Sequence, residues 1–184
     1  MPNSSDATLL RDLKRRLYAM RNGVVADAIR KAGAPYRIIF GLNLPQITEI
    51  AADFRDGGPE FARTVWADNH TRECLLIAPM LMPADAMDEA TARQWILQSP
   101  CSEVSDILCH RLLKHLPYAR TLAQEFSASQ EPLERYTALR LLFNLLPQGV
   151  NETQAIARAE ADRHDPMTLH IARALIEETE FLLS

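Results

Sequence analysis

Apolar residues recur at helical spacing along almost the whole chain. In ATLLRDLKRRLYAM, residues Leu9, Leu10, Leu13, Leu17 and Met20 fall on one stripe, with Asp6 placed to cap the helix. Gly23 and Gly33 bracket a short second helix carrying Val24, Val25, Ala28 and Ile29. YRIIF (36–40) is the one β-like run. Gly41 and Pro45 follow so closely that it reads as an extended connector with its apolar side tucked inward. Pro45, Pro59, Pro132 and Pro166 each precede a clean apolar period. A proline is tolerated in a first helical turn because its missing N–H would have no partner there. Pro100 stands similarly before CSEVSDILCHRLL, with Ser102 as the expected cap, and Asn151 is the expected cap of a helix from Glu152. The pattern predicts roughly ten or eleven helices joined by short connections.

A weak repeat runs through these helices. Leu75, Ile107, Leu139 and Ile171 are spaced 32 residues apart, each in the middle of an expected helix. Each such helix follows another: FARTVWADN before RECLLIAPML, ATARQWILQ before SEVSDILCHRLL, YARTLAQEF before LERYTALRLLF, and TQAIARAEA before MTLHIARALI. One pair cannot bury its apolar faces alone, whereas stacked pairs can. The expected fold is all-α, a superhelical stack of antiparallel helix pairs resembling HEAT repeats. An irregular helical bundle is the alternative. The expected organisation is one domain over 1–184, with N-terminal helices and a connector at 1–43 and stacked pairs at 44–184.

Composition narrows the class without naming a function. The 184 residues are 47% apolar and 24% charged, enough for a full core. No apolar run is long enough to suggest a membrane span. MPNSSDATLLRDLKRR has no apolar core of the signal-peptide kind, and three cysteines without a pairing pattern fit a reducing compartment, so a cytoplasmic protein is expected. The net charge of −4 is uneven: residues 1–55 hold nine Lys/Arg against five Asp/Glu. This is either an ordinary solvated helix face or a phosphate-contacting patch built from Lys14, Arg15, Arg16, Arg21, Arg30, Lys31 and Arg37.

QSPCSEVSDILCHRLL (98–113) concentrates candidate chemistry. Cys101, Cys109 and His110 could suggest a metal or a thiol nucleophile. Adjacent helical residues point about 100° apart, so Cys109 and His110 do not share a ligand face. No CxxC or HxxxH occurs, and no cysteine-nucleophile signature surrounds Cys101. No metal and no cofactor is expected. Cys74 and Cys109 read as small core residues. Glu103 and Asp106 stand three apart, on one face near a helix start. No Walker motif, nucleotide-binding glycine loop or GxSxG occurs.

Several stretches together resemble the AlkD-like DNA alkylation repair family. YRIIFGLNLPQITEIAADF is similar to that family's opening motif: an aromatic-led run, Gly, an apolar residue, Pro, then an amphipathic helix. VWADNHTRECLLIAPML resembles its Trp, short turn, Arg-Glu pair and core helix. SPCSEVSDIL lies where the family starts a helix with Trp-Asp-x-x-Asp, and PLERYTALRLLF resembles the next repeat's Arg-bearing helix. The resemblance implies stacked helical pairs whose concave face grips duplex DNA. In active relatives an Asp and two Trp side chains there assist release of a cationic alkylated base, by attraction to aromatic faces and by stabilising positive charge on the sugar.

Carried over, Asp106 matches the catalytic Asp, Glu103 the supporting acid, and Arg135 the DNA-contacting Arg. Lys14, Arg15 and Arg37 are the further DNA-binding candidates. The expected aromatics are absent: Ser102, or Cys101 if the register slips, stands at one position and Ala174 near the other. Trp66 and Trp95 sit mid-helix in apolar surroundings and read as core. Two functions follow as expectations. One is a DNA-binding, alkylation-repair-like protein with weak or altered glycosylase chemistry on Asp106. The other is a non-catalytic helical-repeat scaffold for a protein or nucleic acid. The expected partner is duplex DNA or a protein, not a membrane, and the oligomeric state is left open.

Overall fold

A computed structural model describes residues 4–184. Among them, eleven α-helices and three short 3-10 turns account for the regular structure, and no strand forms. The helices are α1 (Ser4–Ala19), α2 (Gly23–Lys31), α3 (Leu44–Asp53), α4 (Gly58–Ala67), α5 (Arg72–Leu81) and α6 (Glu89–Gln98). They continue with α7 (Ser102–Arg111), α8 (Ala119–Ser127), α9 (Pro132–Leu145), α10 (Val150–Ala161) and α11 (Leu169–Leu183). Helices adjacent in the chain pack together, as α4 on α5, α8 on α9 and α10 on α11. Short connections turn each pair back on itself. No helix among the described residues is long and apolar enough to cross a membrane. The packing divides the chain into two compact units, the first ending at Met87 and the second running Asp88–Ser184.

The first unit groups α1 to α5 with the connector. Leu13 and Leu17 are fully buried, as the stripe in α1 requires. Tyr36 and Ile39 turn inward from the connector while Ile38 faces out and forms a lone β-bridge with Thr71. What holds this segment is a buried carboxylate. Glu73, wholly inaccessible, accepts hydrogen bonds from the backbone N–H groups of Phe40 (3.1 Å), Gly41 (2.9 Å) and Leu42 (3.4 Å). Arg72 donates to the Leu42 carbonyl at 3.0 Å and to Glu73 at 3.2 Å. The Arg-Glu pair and the FGLN turn, distant in sequence, are thus two halves of one clamp. Gly41 is obligatory there, with φ +81 and no room for a Cβ, which would collide with the Asn22 carbonyl and the Ala26 backbone nitrogen. Trp66 is buried in this unit.

The second unit shows the repeat as physical contacts. Arg93 on α6 reaches Glu125 on α8, Thr137 on α9 donates to Ser105 on α7, and Arg120 on α8 reaches Glu152 on α10, each pair 32 residues apart. Leu139 and Ile171 are buried and Ile107 half-buried. The α6–α7 pair is the loosest match to the expected scheme, since both helices lean on α9. Trp95 is core, like Trp66.

Three expected caps move. Asp6 lies inside the first turn of α1, where its charge still complements the helix dipole. Cys101 is the N-cap of α7, so Ser102 is already helical. Gly149, in the left-handed conformation at φ 63, is the N-cap of α10, two residues before Asn151 and under the guanidinium of Arg120. Pro166 sits in the turn before α11, not in its first helical turn.

Arg135 also departs from its expected role. It is 5% exposed and bonded to Glu160 at 2.9 Å and Asp165 at 2.6 Å. Its Nη1 donates to the carbonyls of Ser129 and Gln130. Thr168 completes the cluster by donating to Glu160 at 2.6 Å. A guanidinium has five N–H groups, and this network occupies at least four. Arg135 therefore ties α9 to α10 and to the turn before α11, and has no fork left for a phosphate.

Two stability predictions follow from these buried charges. Glu73→Ala leaves three backbone N–H groups without their acceptor and removes the carboxylate beside Arg72, and should cost the first unit about 3–5 kcal/mol. Urea unfolding followed by Trp66 fluorescence in a Trp95→Phe background measures it; a loss under about 1 kcal/mol would mean water replaces the carboxylate. Arg135→Ala leaves Asp165 without its cation and Glu160 with Arg163 and Thr168 alone, and should cost the second unit about 3 kcal/mol, read by Trp95 fluorescence in Trp66→Phe.

Candidate functional site

The helix start that carries Asp106 is positioned by the α7–α9 contact. Val104, Leu108 and Cys109 point into the core, which leaves Asp106 and Glu103 on the partly exposed side. The buried Thr137–Ser105 hydrogen bond, 2.8 Å, and the Cys109 thiol on the Thr137 carbonyl, 3.4 Å, set the register between the helices. Residues 136 and 140 then flank Asp106 from α9, one helical turn apart on the same face.

Asp106 is consequently held from both sides. The Nε of Arg140 donates to its Oδ1 at 2.6 Å, and the Tyr136 hydroxyl donates to the same oxygen at 2.8 Å. Arg140 Nη2 lies 3.4 Å from both Oδ2 and the Tyr136 oxygen. Arg140 Nη1 has no hydrogen-bond partner among the described residues. The carboxylate and guanidinium are about one-third exposed. Burial opposes the charge of Arg140, but its hydrogen bonds to Tyr136 and Asp106 outweigh that and raise its pKa. Burial, assisted by Asp106, raises the Tyr136 hydroxyl above its ordinary value, so it stays protonated and donating at neutral pH.

The cluster floors an open depression of about 250 Å³ lined by Asp106, Ile107, His110, Arg140 and Asn144. His110 Nδ1 lies 3.4 Å from Asn144 Oδ1 and 3.4 Å from Lys114 Nζ. The Tyr136 ring is buried and stacks at 5.8 Å against the exposed His170 of α11. No large aromatic face therefore opens onto Asp106 from position 102 or 174, and Tyr136 presents only its hydroxyl there.

The thiols divide as burial dictates. Cys109 is fully buried; desolvation, with Asp106 adding to it, pushes its pKa far up. Cys74 is raised likewise, first by burial and then by Asp68. Neither forms a thiolate at neutral pH. Cys109 points inward and His110 outward, as their helical offset requires.

The N-terminal candidates belong to the first unit. Lys14 pairs with Asp68 at 2.5 Å beside a groove between α1 and α4, and Arg15 pairs loosely with Asp12 at 3.4 Å. Arg37 is an exposed connector residue with no ion pair among the described residues. Arg140 is the residue that reading the sequence overlooked. The repeat held the signal: 32 residues beyond Asp106 is position 138, and the side chains flanking that point on one face are 136 and 140.

A search of curated proteins and of solved structures finds no match to this chain. The family model described as DNA alkylation repair enzyme matches residues 13–183, spanning α1 to α11. The chain belongs to the DNA alkylation repair enzyme family.

Proposed function

We propose that this protein binds duplex DNA through the face carrying Asp106 and Arg140, and that Asp106 drives no base release there. The observation that carries this reading is the Arg140–Asp106–Tyr136 cluster. A carboxylate stabilises an oxocarbenium-like sugar by offering uncompensated negative charge. Asp106 already spends that charge on a guanidinium at 2.6 Å and a phenol hydroxyl at 2.8 Å. A cationic alkylpurine also gains from an aromatic face, and positions 102 and 174 are Ser and Ala. The same cluster suits a phosphodiester better. Arg140 Nη1 is available, Lys114 stands beside His110, and Asn144 lines the same depression. Glu103 lies on the same helix face as Asp106 and, being an anion, adds nothing to phosphate binding there. In the first unit, taken by itself, Arg15 and Arg37 are exposed cations that could meet a phosphate.

Two measurements test it. Release of 7-alkylguanine and 3-alkyladenine from alkylated duplex should be equal and at background for wild type and Asp106→Asn; a wild-type rate more than about tenfold higher would restore a glycosylase. Arg140→Ala should weaken duplex binding and lower the salt slope by about one unit, while Asp106→Asn strengthens binding. If wild type fails to bind duplex at low salt and Arg140→Ala changes nothing, this face serves a protein partner instead.

A further inference from the structure

A second cavity, in the first unit, lies at the junction of α1 and α2. Its volume is about 260 Å³. Ala26, Ile39 and Phe40 form an apolar floor, with Ala26 and Ile39 buried. Tyr18 and Arg21 stand at the mouth and Arg30 on the wall. Tyr18 is 56% exposed, so its ring is within reach of a ligand from solvent. The guanidinium carbon of Arg21 lies 3.9 Å from the ring centroid, and Arg21 Nη1 is anchored on the Tyr18 carbonyl at 2.9 Å. Gly23 opens the remaining side, with nothing within reach of a Cβ built on it.

The charges here differ from those elsewhere in the unit. Lys14 and Arg16 are each neutralised by an aspartate. No carboxylate lines this cavity, and none pairs with Arg21 among the described residues. Arg30 is spent on Asp27 at 2.7 Å and on the Ile39 carbonyl at 3.4 Å, so Arg21 supplies the net positive charge of the rim. The site thus combines an apolar floor, a stacked ring-and-guanidinium platform and an uncompensated cation. A bare inorganic anion would waste the floor and the ring. A flat heterocycle bearing a phosphate uses all three.

We infer that this cleft binds an unpaired nucleotide, its base against the Tyr18 ring and the apolar floor and its phosphate toward Arg21. A base within a duplex is stacked on both faces and cannot enter, so the ligand is a single-stranded unit or a free mononucleotide. The site is separate from the Asp106 cluster and does not rest on it.

The test is a low-salt anisotropy titration with labelled octathymidylate and with an abasic strand of equal length and charge. Wild type should prefer the base-bearing strand by about tenfold, and Tyr18→Ala should erase that preference while leaving the abasic strand's affinity unchanged. Arg21→Ala should weaken binding of the octathymidylate. Tyr18→Phe, which keeps the ring, should retain the preference. Tyr18 and Arg21 are exposed, so far-UV circular dichroism should show the variants folded. Thymidine 5′-monophosphate competing with the strand would identify the mononucleotide as sufficient; failure to compete, with the strand still bound, would identify the strand. Equal wild-type affinity for both strands, or a Tyr18→Ala variant that keeps the preference, overturns the inference. Both probes are single strands, so loss of duplex binding would count against the Asp106–Arg140 reading alone.

Discussion

A buried hydroxyl pair, Thr137 on Ser105, fixes the register on which the second unit's chemistry depends. It joins residues 32 apart, the interval that also separates Arg93 from Glu125 and Arg120 from Glu152. A pair of helices with one apolar face each must find a neighbour, and a polar contact inside that interface favours one alignment, because a slip would leave the buried Ser105 hydroxyl without Thr137, which itself keeps the Leu133 carbonyl. Once α7 and α9 are aligned this way, Tyr136 and Arg140 have nowhere to go but against Asp106. The candidate site is a consequence of the repeat's register.

The same logic places the unit's strongest electrostatics away from that site. Arg135, with Glu160, Asp165 and Thr168, is a buried structural knot. Arg140, five residues on, is the arginine left with a free edge. Two arginines on one helix divide the work because residues five apart face different directions: one looks toward α10, the other toward α7. In the first unit, Glu73 plays the knot's part by gathering three consecutive N–H groups of the connector. Both arrangements cost desolvation and are retained where the backbone would otherwise have unsatisfied polar groups.

Much of this was legible in the chain itself. The stripe of Leu13 and Leu17, the inward Tyr36 and Ile39, the prolines at 45, 59 and 132, and the core tryptophans follow from periodicity and from the cost of burying unlike groups. The cap positions were less legible. Capping depends on one residue's dihedral angles, and Gly149 under Arg120 shows how a distant side chain decides them. Arg135 shows the same limit: a sequence marks an arginine as a cation, and only its neighbours reveal whether the charge is spent.

The amino-acid sequence by itself determined the all-helical class, the 32-residue period, the core and the presence of Asp106 at a helix start, because these rest on local spacing. Tertiary structure alone decided which arginine meets Asp106, that Tyr136 offers it a hydroxyl and not a ring face, and that Tyr18 and Arg21 stack at the rim of an apolar cleft. Those outcomes depend on distances between groups up to 34 residues apart, and no local pattern encodes the rotation of one helix against another.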